Sequence, residues 1–283
     1  MPNFLQALLL TSLLLLSISA QAQETRMIPV RDETGRASQF EAVLQVPAGS
    51  TKAPAVVILH HAGGWGHGTT AQYANFLAGQ GFVTLEPRLF NVGPDPRRRY
   101  LPEVFAALKS LSEHPAVDRN RISVMGLSYG ANQSILSATA WAQKQFGIDG
   151  LRFRSHIAIY PTCWAFTAAI GRTLPSRFRI DRPEDFADSW GGSPLLVLTG
   201  TVDDYDGRDR DACHEFIRAI PDERQRSISR VIQYEGATHG WDQQTRSFYE
   251  PGACKGKGCT NHNVSNPGVT AQGMQDLLRF LLE

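Results

Sequence analysis

The sequence carries almost no net charge: 28 lysines and arginines stand against 27 acidic residues, a balance of +1. No global field is left to gather nucleic acid or to hold the chain on an anionic membrane, so neither partner is expected. Long apolar runs are equally scarce. The single extended one, Leu8-Leu9-Leu10-Thr11-Ser12-Leu13-Leu14-Leu15-Leu16, is too short to span a bilayer comfortably. It is followed by Ala20-Gln21-Ala22, small residues at the −3 and −1 positions of a cleavage point before Gln23, which is the pattern of a secretory signal peptide over residues 1–22. No lysine or arginine precedes the run, so the positive end of such a leader comes from the amino terminus alone. No cysteine follows the run, which argues against a lipid-anchored form. Internal repeats and low-complexity linkers are missing too. Residues 23–283 suffice for one large domain and fall short of two ordinary ones.

Cysteines number only four. In an exported chain an even number is expected to be bridged, and the expected location is secreted or periplasmic. Four cysteines permit three pairings. Cys254 and Cys259 flank the flexible segment Lys255-Gly256-Lys257-Gly258 and can close a small loop, which leaves Cys163 for Cys213. Metal-ligand spacing is also lacking: Cys254 and Cys259 have only His262 nearby, and His60, His61 and His67 have no carboxylate pairing at ligand distance. No metal and no cofactor is expected, and the three histidines are assigned to loop structure.

Against these absences stands a repeated strand-then-helix rhythm. Phe40, Ala42, Leu44 and Val46 alternate with Glu41, Val43 and Gln45, and with Met27 to Val30 they predict an antiparallel hairpin at a sheet edge. From Ala55 to Leu59 the run is continuously apolar, as in a strand covered on both faces. Further strands are expected at 82–85, 122–125, 156–160, 195–198 and 231–234, with helices at 73–80, 102–113 and about 270–282. Six buried strands separated by helical segments specify an α/β fold with a mostly parallel central sheet and helices on both faces. Between Trp164 and Trp190 the periodicity is lost, and the segment reads as an excursion beyond the strand ends, a lid. Ligands in such sheets bind beyond the carboxyl ends of the strands, so chemistry should follow strands in the sequence.

It does. Gly126-Leu127-Ser128-Tyr129-Gly130 follows the strand at 122–125 and has the G-x-S-x-G form of a nucleophile elbow, in which a strained turn lifts the serine above the sheet. Gly200-Thr201-Val202-Asp203-Asp204-Tyr205-Asp206 follows the strand at 195–198. Glu235-Gly236-Ala237-Thr238-His239-Gly240-Trp241 follows the strand at 231–234. A serine hydroxyl needs a base to take its proton, a histidine titrates near working pH, and a carboxylate fixes the imidazole tautomer. Ser128, Asp203 and His239 are therefore the expected catalytic residues, with Asp203 preferred over Asp204 and Asp206 for its place at the strand end. The oxyanion that forms on attack needs fixed donors, expected from the amides of Tyr129 and Ala62, and Gly63 and Gly64 let that backbone approach a substrate.

The segments His60 to Gly64, Pro115 to Gly130, Gly200 to Asp204 and Tyr234 to Trp241 together resemble the dienelactone hydrolase family of the α/β-hydrolase superfamily. The likeness spans nearly the whole chain after the leader. It implies an α/β-hydrolase fold and a hydrolase with Ser128, Asp203 and His239 as its triad. Two departures separate this chain from the enzymes that name the family: those use a cysteine where Ser128 stands, and they carry a glutamate where this chain has His61. Hydrolysis of a small-molecule carboxylic ester or lactone through an acyl-enzyme is the resulting expectation. A peptidase of the same superfamily and a non-catalytic binding module are the alternatives. His61, Trp65, Trp164 and Trp241 follow strand ends and are expected at the substrate pocket. Arg97-Arg98-Arg99 reads as a solvated basic patch, and Asn132-Gln133-Ser134 and Asn263-Val264-Ser265 match the N-glycosylation pattern.

Overall fold

The computed structural model describes residues 22–283 except 33, 92, 94–99, 149, 176–182 and 184. The expected leader, apart from Ala22, and the Arg97-Arg98-Arg99 patch lie outside the described residues. The predicted edge hairpin is formed by β1 (Ala22–Arg31) and β2 (Ala37–Val46), paired antiparallel from Ala22 opposite Val46 to Arg31 opposite Ala37. Next come β3 (Ala53–Leu59), α1 (Thr69–Gly79), β4 (Val83–Pro87), α2 (Leu101–Ser112) and β5 (Val117–Leu127). These are followed by α3 (Tyr129–Ser137), α4 (Ala140–Phe146), β6 (His156–Ile159), α5 (Cys163–Ile170) and β7 (Leu195–Gly200). The chain closes with α6 (Ala212–Ala219), α7 (Glu223–Ser227), β8 (Ser229–Tyr234), β9 (Arg246–Glu250), α8 (Ala253–Gly256), β10 (Cys259–Asn263) and α9 (Pro267–Leu282).

The large sheet runs β1-β2-β4-β3-β5-β6-β7-β8. From β4 to β8 all neighbours are parallel, and the two pairings at the edge, β1 with β2 and β2 with β4, are antiparallel. β3, β6 and β7 read as apolar runs because both of their faces are covered, whereas β8, at the sheet edge, is only partly buried. Val57 and Leu59 of β3 point into a core closed by Leu101, Val104 and Leu108 of α2, Ile135 of α3 and Phe216 of α6. Their neighbours Val56 and Ile58 point the opposite way, onto Tyr73 and Leu77 of α1 and Leu277 and Phe280 of α9. Alternate side chains of one strand thus build two separate cores.

Strand order determines where a site can form. The chain steps from β3 outward to β4, then returns across β3 to lay down β5 on its other side. At that reversal the loops leaving β3 and β5 diverge and open a crevice between them. His60 to Gly64 leave one side of it and Ser128 the other.

Several elements depart from the sequence expectation. Strand β5 begins five residues early, because Ala53 reaches Val117 across an irregular step in the ladder before the regular pairing of Ala55 with Ile122. Helix α9 starts at Pro267, with the Asn266 side chain accepting from the Val269 amide at 3.1 Å, the Asn–Pro start that favours a helix. The Trp164-to-Trp190 segment is not a lid where it is described. It opens as α5, and Phe166, Leu174, Phe186 and Trp190 are buried in the main core, with Trp190 bridged back to Thr139.

Both expected disulfides are present, Cys163–Cys213 and Cys254–Cys259. The first closes a sequence separation of 50 and the second one of 5, which in the chain-entropy picture gives about 4 and about 2 kcal/mol respectively. Replacing Cys163 and Cys213 together by alanine is expected to lower the urea midpoint more than the same change at Cys254 and Cys259. Equal shifts from the two pairs would show that loop closure does not govern their contribution.

Candidate active site

Ser128 stands at the junction of β5 and α3 with φ 50° and ψ −108°, a backbone conformation unfavourable for an L-residue. Such a strained residue costs about 1–3 kcal/mol, which the surroundings must supply. Its amide donates to the Ile159 carbonyl at 2.9 Å, and its carbonyl accepts from Asn132 at 3.0 Å, so the turn is held from both sides. The two flanking glycines are required by close approach. A Cβ on Gly126 would lie 2.1 Å from the Gly130 carbonyl, and one on Gly130 would lie 2.3 Å from the Leu59 carbonyl. The helix could not turn away from the strand so sharply with any side chain there.

Above the sheet three side chains form one hydrogen-bonded line. His239 Nδ1 lies 2.8 Å from Asp203 Oδ2, and His239 Nε2 lies 2.8 Å from Ser128 Oγ. A carboxylate only accepts, so Nδ1 carries the proton and Nε2 is left to accept from the serine hydroxyl. Asp203 and His239 are 1% and 3% exposed, and water therefore does not compete for the pair. Asp203 Oδ1 accepts the Tyr205 amide at 2.8 Å, which fixes the rotation of the carboxylate.

The neighbouring carboxylates are engaged elsewhere. Asp204 accepts from Arg208 at 2.7 Å and from the His262 amide and ring at 2.8 and 2.9 Å, tying the acid loop to β10. Burial alone would raise its carboxyl, yet the bonds from Arg208 and His262 together hold it below the ordinary carboxylate value. Asp206 accepts the Trp164 amide at 2.8 Å, at the first turn of α5 beside the Cys163–Cys213 disulfide. Its burial, and then the charge of Asp203, push its carboxyl well up. Among the described residues, Cys163, Asp206 and Cys213 are also the one cluster of metal-ligating types. Its sulfurs are already bonded to each other, and a disulfide has no thiolate to offer a metal.

The loop after β3 is shaped by two histidines with opposite tautomers. His60 accepts the Leu89 amide at Nε2 and donates from Nδ1 to the His61 carbonyl at 2.9 Å. His61 accepts the Gly63 amide at Nδ1, 2.9 Å, and donates from Nε2 to Thr69 Oγ1 at 3.2 Å. Burial pushes the first down to about 4. Burial, followed by the neighbouring histidines, pushes the second down to about 3. Both rings are neutral at ordinary pH and hold the backbone around Ala62.

A cavity of about 230 Å³ opens at Ser128, lined by His61, Ala62, Gly63 and His239 on the sheet side. Its other wall comes from Tyr205, Gln243, Arg246, Phe248, Glu250 and Asn263. Four of these six lie on the hairpin of β9 and β10, which sequence reading did not see as strands at all. A polar cleft of about 510 Å³ adjoins it, sharing Gln243 and Arg246 and including His67, Thr69 and Gln72. The three tryptophans expected at the pocket are not among its lining residues. Trp65 lies under the Arg88 guanidinium, 4.0 Å from its ring. Trp164 is 9% exposed in the main core, and Trp241 is 1% exposed, packed against Tyr160 and Tyr234. Of the four substrate-binding expectations only His61 reaches the cavity. The glycosylation patterns also fall on engaged residues, since Asn263 is buried in β10 and Asn132 hydrogen-bonds Thr162 in both directions.

No family model and no curated protein matches this chain. Solved structures do. A candidate dienelactone hydrolase from Klebsiella pneumoniae is similar with a TM-score of 0.63 and 15% identity, over 93% of this chain and 99% of its own. Esterase 2 of Thermogutta terrifontis, phosphoramylated by tabun, gives 0.60 and 15% over 87% and 89%. A dienelactone hydrolase-like promiscuous phosphotriesterase from metagenomic libraries gives 0.58 and 16% over 92% and 98%. With the sheet order above, these likenesses show an α/β-hydrolase fold.

Proposed function

We propose that the protein is a carboxylic ester hydrolase of dienelactone hydrolase type that works through an acyl-enzyme on Ser128. The observation that carries this reading is the line from Ser128 Oγ through His239 to Asp203, with both contacts at 2.8 Å and its serine on a strained turn. Ser128 Oγ attacks the carbonyl carbon of the ester as His239 Nε2 takes its proton. Asp203 keeps the imidazole in the one tautomer that can do so and stabilises the cation that results. The amides of Tyr129, the first residue of α3, and of Ala62, on the cavity wall, are assigned to the oxyanion. His239 returns the proton to the departing alkoxide, which leaves as alcohol. A water then attacks the acyl-enzyme by the same route and releases the acid. A cavity of this size suits a short acyl chain.

The same reading makes residues 23–283 a single α/β-hydrolase domain exported behind a leader at 1–22. Two disulfides suit an oxidising compartment. No helix among the described residues is long and apolar enough to cross a membrane. Purified protein is expected to turn over short-chain chromogenic esters, with kcat/KM falling as the acyl chain lengthens beyond what the cavity holds. Cleavage of a peptide panel in preference to every ester and lactone would overturn the substrate class.

A further inference from the structure

Behind His239 lies a second carboxylate that the reaction above does not use. Asp242 follows His239 by three residues. Its Oδ1 accepts the Tyr160 hydroxyl at 2.7 Å and its Oδ2 accepts the Tyr73 hydroxyl at 2.7 Å. Loss of hydration pushes this carboxyl up, and the two hydroxyl donors oppose the rise. Both phenols are pushed well above their ordinary value, first by their own burial and then by the charge of Asp242, so they remain donors. The Asp242 carbonyl also accepts from Gln72 at 3.2 Å, a second tie to α1.

Tyr160 is the unusual member. It lies just past the end of β6, fully buried, with φ 42°, the left-handed region that a bulky residue avoids. Its amide donates to the Leu198 carbonyl at 2.7 Å, which fixes the backbone from the β7 side. The conformation turns its ring against the imidazole of His239, with centroids 4.9 Å apart and planes at 62°. Tyr205 covers His239 as well, with centroids 4.1 Å apart and planes at 35°. The imidazole is thus walled by two tyrosines. The strain at Tyr160 is held by the bond from its own hydroxyl to the loop that carries His239, and strain so maintained points to a positional role.

We infer that Tyr73, Asp242 and Tyr160 form a brace in which Tyr160 is the positioning residue for the His239 ring. The brace links α1, the end of β6 and the turn 239–242, and stops the imidazole from swinging off the line between Asp203 and Ser128. Its catalytic consequence rests on the ester hydrolase reading; its structural consequence does not.

The test compares Tyr160→Phe and Asp242→Asn with Tyr234→Phe, which removes a buried tyrosine–carboxylate bond of the same kind, to Asp276 at 2.9 Å. Two readouts are taken: steady-state hydrolysis of a short-chain chromogenic ester, and the downfield proton resonance of the His239 Nδ1–H shared with Asp203, assigned by its loss in His239→Gln. In Tyr160→Phe and Asp242→Asn, kcat is expected to fall roughly ten- to a hundredfold with KM within about twofold, and the resonance to broaden. Tyr234→Phe is expected to lower Tm while retaining kcat and a sharp resonance. A sharp, unmoved resonance in Tyr160→Phe overturns the brace, whatever happens to Tm. So does unchanged kcat in an active enzyme. If the wild-type protein turns over no ester, the hydrolase reading fails and the resonance alone decides the brace; if Asp242→Asn does not fold, Tyr160→Phe decides it.

Discussion

Ser128→Ala is expected to lower kcat for a short-chain ester by at least about ten-thousand-fold, close to 5.5 kcal/mol of transition-state stabilisation. The substitution removes one oxygen, and with it both the nucleophile and the hydrogen bond to His239 Nε2. The turn that presents position 128 is held by backbone bonds to Ile159 and Asn132 and by the close contact of Gly126 with Gly130. None of these involves the hydroxyl. Stability should therefore change by no more than about 1 kcal/mol, the net worth of one hydrogen bond. Loss of activity with an unchanged melting transition is the expected pair of results, read by ester assay and calorimetry on the same preparation. Equal turnover by both proteins would remove the acyl-enzyme from the mechanism.

Asp203→Asn should cost nearly as much, about ten-thousand-fold in kcat, although the two side chains have the same shape. The cause is tautomeric. An asparagine amide facing His239 Nδ1 can donate as well as accept. When it donates, the imidazole proton moves to Nε2, and the atom facing Ser128 can no longer accept. Asp204 and Asp206 provide internal controls. Asp204→Asn loosens the ties from Arg208 and His262 and should act on stability and KM through the β9–β10 wall of the cavity. Asp206→Asn weakens the grip on the first turn of α5 and should act on stability. For both, kcat is expected to stay within about tenfold of wild type, since neither carboxylate touches the imidazole. Steady-state kinetics of the three variants ranks them, and an Asp204 or Asp206 variant falling below Asp203→Asn would move the acid to another position.

How much of this could be read beforehand depends on the range of the interactions involved. Ala55 to Leu59 declared a doubly covered strand because every side chain in the run is apolar, a purely local signal. Ser128, Asp203 and His239 were legible because each follows the end of a strand of the parallel sheet, so their convergence is a consequence of sheet topology. The β9–β10 hairpin was not legible. Arg246–Glu250 and Cys259–Asn263 lack apolar alternation, and β10 buries Asn261 and Asn263. Its position depends instead on bonds from Cys254, Lys255 and His262 to the acid loop. Sequence could suggest the loop closed by Cys254 and Cys259, but not the loop on which it would rest. The placement of the tryptophans was not legible for a related reason: an indole is equally at home in a cleft and in a core, and a position just after a strand does not choose between them. Nor does anything local link Asp242 to Tyr73, which lies 169 residues away in the chain.

The most direct test of the central claim is intact-protein and peptide mass spectrometry after brief exposure to a fluorophosphonate and, separately, to an activated acetate ester quenched in acid. One adduct per chain, mapped to the peptide bearing Gly126-Leu127-Ser128-Tyr129-Gly130 and lost in Ser128→Ala, is the expected result. An unmodified Ser128 in a preparation that is turning over ester, or an adduct on any other residue, would contradict it.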